Sequence, residues 1–189
     1  MKKLFLIAAM AVMSVAAGAQ NLKWAYIDFN EVIMLMPEMD SARATLEENQ
    51  KTNEEILMAM YEEYQTKAQQ YQQKAESWTP AIRESKEREI MDIQTRLEQT
   101  QQSLQQEMQQ LQNSLQAPIY EKAQNVINAL AKGKGVAAVF EKGTFLYLDP
   151  AQLVDLTPDA RVALGIPEDR TIESLQAELE AKAQAAQMQ

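Results

Sequence analysis

Apolar residues recur every seven positions along two long stretches of the chain. Leu57, Tyr64 and Tyr71 keep this spacing in the first stretch, and helices with such a repeat pack side by side as a coiled coil. The predicted contact seam consists of Leu57, Tyr61, Tyr64, Tyr71, Trp78, Ile90, Leu97, Leu104 and Leu111. A turn at 77–80 joins the two stretches, so the pattern predicts an antiparallel two-helix hairpin over residues 38–117, with arms roughly 60 Å long.

The middle of the sequence lacks the residues that usually interrupt helices. Residues 19–132 contain no glycine, whereas sheets and tight turns use glycine heavily. Pro37 and Pro118 stand at equal distances along the chain from the turn. We therefore interpret these two prolines as paired breaks that separate the hairpin from a body.

Shorter apolar runs on both sides of the hairpin predict a small body that contains β-strands. Residues 23–29 are aromatic and β-branched, which is typical of a strand, and Asn30 follows as the expected cap of a short helix. The runs 136–141 and 144–148 lie on either side of Gly143, a pattern that predicts a β-hairpin. Because three short strands bury little apolar surface in one chain, we expect the body to complete its core by oligomerisation.

These elements predict a mainly α-helical fold with a small β body. The chain divides into a body (20–37 and 118–166), the hairpin (38–117) and a C-terminal helical tail (167–189). In the tail, Ile172, Leu175 and Leu179 share one helix face. The sequence leaves open whether this face packs on the body or frays into solvent.

The first residues have the pattern of a secretory signal peptide. Lys2 and Lys3 precede an apolar run over 4–15, and the small residues Ala17 and Ala19 suit cleavage after Ala19. A membrane anchor is the alternative, but the apolar run is too short to span a bilayer comfortably. We therefore expect an exported mature chain.

The composition excludes several kinds of chemistry. The chain has no His and no Cys, so it lacks the commonest metal ligand, a thiolate nucleophile and a zinc site of the usual kind. An acid–base hydrolase would need two carboxylates that converge in a pocket, and an extended hairpin offers no obvious one. We expect no enzymatic activity, no cofactor and no metal. The net charge of −9 becomes −11 without Lys2 and Lys3, which weighs against binding to nucleic acid.

Two short motifs bracket the predicted hairpin. The first is Ala25-Tyr26-Ile27-Asp28-Phe29, and the second is Leu146-Tyr147-Leu148-Asp149-Pro150 followed by Asp155-Leu156-Thr157. In this order, around a heptad hairpin and behind a signal peptide, they resemble the Skp/OmpH family of periplasmic chaperones over residues 23–166. The resemblance implies a homotrimer whose strands form a small β-barrel, from which three hairpins project around a cavity. It also implies an ATP-independent holdase that binds unfolded outer-membrane proteins in the periplasm and prevents their aggregation during delivery to the outer membrane.

The resemblance assigns the aromatic and apolar residues of the predicted strands to the trimer body. These residues are Trp24, Tyr26, Ile27, Phe29, Val139, Phe140, Phe145 and Tyr147. In one respect the chain departs from the family, whose best-known members are basic. Residues 38–63 carry eight acidic residues against Arg43 and Lys51. Contact with a membrane surface or with lipopolysaccharide therefore has little support in the sequence.

Five apolar residues lie off the predicted seam and are candidates for contact with a client protein. They are Ile56, Met58, Met60, Met91 and Ile93. Methionine side chains are flexible and polarizable, which suits a surface that accepts many sequences. An alternative of equal weight is that these residues only widen the hairpin core. A functional alternative is a structural envelope scaffold that uses the coiled-coil hairpin to bind one defined partner.

Overall fold

The structure, a computed structural model, describes residues 22–187. The signal peptide predicted over 1–19 lies outside these residues. The described chain forms two compact units, the sheet unit (22–37 and 120–187) and the hairpin unit (Glu38–Ile119). Within 22–187, no helix combines the length and the apolar character that crossing a membrane requires.

Three strands and five helices make up the described part of the chain. In order they are β1 (Lys23–Ile27), α1 (Phe29–Leu35), α2 (Pro37–Lys74), α3 (Pro80–Lys134), β2 (Val136–Glu141), β3 (Val154–Asp155), α4 (Thr157–Ala163) and α5 (Ile172–Gln187). Short 3-10 turns occupy Ala75–Ser77 and Lys142–Thr144. The predicted class, mainly α-helical with a small β part, is confirmed. Closure of the strands into a barrel by trimerisation stays a prediction.

The sheet unit is built on a three-stranded parallel sheet with the strand order β2–β1–β3. At the centre, Ala25 of β1 is paired with Val139 of β2 and with Val154 of β3. Ala25 and Ile27 are both buried, as expected for the central strand of a parallel sheet. The two outer strands each keep one edge that the described chain does not pair.

The predicted β-hairpin is wrong at its second strand. β2 ends at Glu141, a 3-10 turn follows, and residues 144–148 form no strand. Two-residue hairpin turns need a residue with positive φ, and Gly143 does not have one. The third strand is instead β3, whose residues were not predicted to be extended because Val154–Asp155 is too short to show an alternating pattern.

Asp28 sets the start of helix α1. Its Oδ1 atom accepts a hydrogen bond from the backbone N–H of Glu31 at 3.0 Å, as an N-cap side chain does. The predicted cap, Asn30, lies inside the helix. The backbone N–H of Asp28 in turn donates to Thr157 Oγ1 at 3.0 Å. This bond ties the end of β1 to the start of α4.

Helix α1 packs against α4 and α5 in the core of the sheet unit. The nearly fully buried side chains of these helices and of the two residues that flank α4 are Val32, Ile33, Leu35, Leu156, Ala160, Leu164 and Leu175. Since Leu175 belongs to α5, the tail helix packs on the sheet unit rather than fraying. Leu179, one turn further on, is 40% exposed.

Helix α3 continues through Pro118, so the predicted break of the helix is wrong, although the boundary between the two units follows at Ile119. A proline inside a helix removes one backbone hydrogen bond and clashes with the preceding turn, at a cost of about 3 kcal/mol. Ile119, Ala123 and Ile127 are buried along one stripe of α3, and burying each isoleucine contributes about 1.5–3 kcal/mol. Burial of this stripe therefore offsets the cost of the proline. The break at Pro37 is present, because α1 ends before it and α2 begins there.

Candidate binding surface

Side chains that reach across the hairpin unit set the pairing of its two helices. Three pairs join α2 to α3, namely Glu63 with Arg96, Lys67 with Glu89, and Tyr71 with Glu87. Residue numbers fall along α3 as they rise along α2, so the helices are antiparallel. At the turn, the Trp78 ring packs edge-on against Tyr71 with 5.9 Å between centroids, and Thr79 Oγ1 accepts from the N–H of Ile82 at 3.4 Å.

Most of the predicted seam residues are half-buried in the hairpin unit. They are Leu57, Tyr64, Tyr71, Trp78, Ile90, Leu97, Leu104 and Leu111. Tyr61 differs, because 54% of its surface is exposed. Met60, one residue earlier, is half-buried and lies three residues after Leu57, which is the second seam position of a heptad. We therefore correct the sequence assignment and place Met60 in the seam and Tyr61 beside it.

Ile93 also belongs to the seam rather than to an outward surface. Only 2% of it is exposed, so the prediction that it lies off the seam is wrong. It follows Ile90 by three residues and precedes Leu97 by four, which is the alternation of the two seam positions. The second seam position was predicted four residues after the sevenfold repeat, so Ile93, three residues after Ile90, was left off the seam.

The other three candidates for client contact are exposed but do not share one face. Ile56, Met58 and Met91 expose 41%, 66% and 63% of their surfaces. Helix residues two positions apart do not face the same way, so Ile56 and Met58 lie on opposite sides of the seam. The five predicted residues therefore do not form a single surface.

A shallow apolar groove of about 490 Å³ lies beside the seam on the side of Met58. It is lined by Glu54, Leu57, Met58, Tyr61, Leu97 and Gln101, and we call it the Met58 groove. Met58 and Tyr61 are its most exposed apolar members. Their spacing of three residues places them together on one helix face. That spacing is the sequence signal that would have identified the groove, had Tyr61 not been assigned to the seam.

The opposite side of the seam is charged rather than apolar. A depression of about 900 Å³ there is lined mainly by polar and charged side chains, among them Glu63, Arg88, Glu89 and Arg96. Arg96 lies 3.5 Å from Glu63, and Lys86 lies 2.7 Å from Glu89. These ion pairs join neighbouring turns and the two helices, so charged side chains are prominent on this side of the seam.

Glu89 is the most strongly perturbed carboxylate of the hairpin unit. It accepts hydrogen bonds from the ammonium groups of Lys67 and Lys86, which lower its pKa from 4.5 to about 2. A carboxylate whose pKa is lower in the folded chain binds fewer protons there than in the unfolded chain. Its contribution to stability is therefore complete above pH 4.5 and is lost as the pH falls towards 2.

We expect the Glu89→Gln variant to lose less thermal stability than the unmodified protein when the pH is lowered from 5 to about 2.5. Helical circular dichroism at a series of pH values measures the melting temperatures. Glu98→Gln is the control, since Glu98 is an exposed carboxylate on the same helix with no ion pair among the described residues. Equal pH profiles for Glu89→Gln and the unmodified protein would contradict this role of Glu89.

The aromatic and apolar residues assigned to the trimer body differ in their contacts and exposure. Trp24 stacks on Phe140 with 5.2 Å between centroids, and Phe145 packs edge-on against Phe140 at 5.4 Å. Tyr26 and Ile27 are buried within the chain itself, whereas Tyr147 is 81% exposed. Phe29 and Val139 are half-buried. Leu146, beside Tyr147, has no contact that shields it from solvent.

Metal binding has no support in the part of the chain that the structure describes. No group of carboxylates within 22–187 converges closely enough to hold a metal ion. Among the described residues, the Met58 groove and the exposed apolar residues of the sheet unit are candidate surfaces for a partner.

Comparison with known proteins gives one family and several solved structures. The sequence profile of the family described as outer membrane protein (OmpH-like) matches residues 23–162. No curated protein matches the chain. Six chains of solved structures match it, among them the crystal structure of a candidate outer membrane chaperone (OmpH-like) from Caulobacter crescentus CB15. That chain is 12% identical, with a TM-score of 0.68 over 78% of this chain and 86% of the other. At this identity the likeness shows a shared fold.

Proposed function

Because the chain belongs to the OmpH-like outer membrane protein family, we propose that it is a chaperone that holds unfolded outer-membrane proteins. It acts in the periplasm without ATP and prevents its clients from aggregating before they reach the outer membrane. The observation that carries this proposal is the Met58 groove, an apolar surface left open on a solvated hairpin. The description of the structurally similar Caulobacter crescentus protein as a candidate outer membrane chaperone supports it.

The Met58 groove suits weak contact with many different sequences. Met58 is unbranched and polarizable, so it adapts to the shape of the side chain that it meets. Tyr61 adds a rigid aromatic surface beside it. A groove of this size shields one or two client side chains, so each contact is weak and a client needs several of them. Weak contacts also let a client leave without an energy source.

We further propose that three chains associate through the sheet unit, which multiplies these contacts. β2 and β3 are edge strands, and unpaired edges readily add strands from another chain. Trp24, Leu146 and Tyr147 expose 45%, 108% and 81% of their surfaces in the single chain, so an interface between copies would shield them from water. Three hairpins held together would present three Met58 grooves to one client, and the second and third contacts gain from a high effective concentration.

The test of the proposed function is an aggregation assay. A urea-unfolded outer-membrane β-barrel protein is diluted into buffer with and without the purified mature chain, in the absence of nucleotide, and light scattering follows aggregation. We expect scattering to fall steadily as the chain is added, and for several unrelated barrel proteins. Scattering that stays unchanged at every ratio would overturn the proposal. Suppression for one partner alone would favour the envelope scaffold.

A further inference from the structure

The surroundings of the Met58 groove are strongly acidic. On a helix the neighbours of a residue lie three and four positions away, and for Met58 these are Glu54, Glu55, Tyr61 and Glu62. Three of the four are carboxylates. The apolar side chain that a client would meet is therefore enclosed by negative charge and one aromatic ring.

The facing helix α3 does not neutralise this charge. Leu97 and Gln101 form its part of the groove, and Glu98, which lies three residues before Gln101, adds another carboxylate. Arg96 is paired with Glu63 on the charged side of the seam. Among the described residues, only Lys51 stands at helix-neighbour distance from two of the groove carboxylates, Glu54 and Glu55.

The groove carboxylates are also available to a partner. Glu54 accepts a hydrogen bond from the Gln50 side chain at 2.9 Å. In the part of the chain that the structure describes, Glu54, Glu55 and Glu62 form no ion pair with a lysine or an arginine. The hairpin unit thus keeps several unneutralised acids around Met58, whereas Glu63 and Glu89 on the other side of the seam are paired.

We propose that the Met58 groove selects extended client segments in which an aromatic or aliphatic side chain is flanked by lysine or arginine. The apolar side chain fills the groove against Met58 and Tyr61, and the flanking cations meet the surrounding carboxylates. A cation beside Tyr61 gains further from the face of its ring. Segments flanked by aspartate or glutamate meet like charges and bind less well. This inference rests on the proposed function and names the client sequences that the groove takes.

Each exposed ion pair of this kind changes affinity by roughly two- to fivefold. With two or more carboxylates engaged, we expect a basic-flanked segment to bind about tenfold more tightly than an acidic-flanked one. Charges at this exposure are screened within about 8 Å at physiological ionic strength. The preference should therefore shrink at high salt, while the apolar part of the binding persists.

The experiment uses the full mature chain and three fluorescent peptides that differ only in their flanks. All three carry the same apolar residues, and the flanks are lysine, glutamine or glutamate. Fluorescence anisotropy at low and high salt measures the dissociation constants. We expect the order lysine, glutamine, glutamate at low salt, with about tenfold between the extremes, and nearly equal affinities at high salt.

Two variants locate the effect in the groove. The triple variant Glu54→Gln, Glu55→Gln, Glu62→Gln should lose most of the preference among the three peptides. The control triple Glu76→Gln, Glu84→Gln, Glu121→Gln makes the same change in net charge at exposed sites elsewhere, and should keep the preference. Equal binding of the three peptides by the unmodified chain at low salt overturns this inference and leaves the proposed function standing. Failure of all three peptides to bind contradicts both.

Discussion

Replacing Ile93 with alanine lowers the free energy of unfolding by about 2–5 kcal/mol. Ile93 is 2% exposed, and the pairs that join Arg96 to Glu63 and Glu89 to Lys67 lie on either side of it along the hairpin. Because the surroundings of a deleted buried side chain relax only in part, the seam cannot close fully over the missing methylene groups. Urea-induced unfolding followed by helical circular dichroism measures the change.

Ile82→Ala is the matched control for this prediction. Ile82 is the same residue type on the same helix, but 45% of it is exposed, so its loss should change stability by only about 0.5 kcal/mol. Similar losses for Ile93→Ala and Ile82→Ala would show that Ile93 is not a seam residue. Folded Ile93→Ala protein should also keep its capacity to hold clients, since Ile93 does not line the Met58 groove.

Replacing Met58 and Tyr61 together with glutamine weakens the capacity to hold clients about tenfold. Complete burial of one large apolar side chain is worth about 1.5–3 kcal/mol. Partial burial of two such side chains under a client therefore amounts to at least about 1.4 kcal/mol, which corresponds to a tenfold change in affinity. The measurement is the concentration of the chain that halves light scattering from a diluted outer-membrane protein. Stability should change little, because Met58 and Tyr61 are 66% and 54% exposed.

Met91→Gln separates the groove from exposed apolar surface in general. Met91 is 63% exposed, nearly the same as Met58, but it does not line the Met58 groove. We expect Met91→Gln to hold clients as well as the unmodified chain does. Equal weakening by Met91→Gln and Met58→Gln would mean that clients contact the hairpin without regard to the groove. If the double variant Met58→Gln, Tyr61→Gln held clients as well as the unmodified chain does, clients would not bind in the Met58 groove.

Much of the hairpin could be predicted because its signals are local. A heptad repeat persists over many turns, and Thr79-Pro80 marks a helix start by side-chain chemistry that acts within four residues. The antiparallel pairing then follows from the short turn between α2 and α3. The helix break at Pro37 was predicted correctly for the same reason, because a proline disfavours helical geometry in the residue directly before it.

The sheet unit was harder to predict because its contacts are distant in sequence. β1 pairs with β2 and β3, which follow more than a hundred residues later. No local sequence pattern predicts that these strands pair or that the pairing is parallel. Gly143 suggested a tight turn, but a glycine permits positive φ without requiring it. The prediction of a helix break at Pro118 failed for a related reason. Burial of Ile119, Ala123 and Ile127 offsets the cost of a proline inside the helix.

The groove could be predicted only in part, because one position on a heptad decides whether a residue is buried or exposed. Met60 and Tyr61 are adjacent, and the sevenfold spacing of Leu57, Tyr64 and Tyr71 fixes one seam position but leaves the other to be chosen between them. A spacing of four residues from Leu57 favoured Tyr61, whereas a spacing of three residues favoured Met60. The structure follows the spacing of three, which leaves Tyr61 beside Met58 on the open side of the seam.

The most direct test of the central proposal is the mass of the complex that the chain forms with an unfolded client. Purified mature chain is mixed with a urea-diluted outer-membrane β-barrel protein without nucleotide, and size-exclusion chromatography with light scattering gives the mass of each soluble species. We expect one soluble species that contains three copies of the chain and a client whose circular dichroism is that of an unfolded protein. A client that precipitates while the chain elutes alone, as a monomer, would contradict the account.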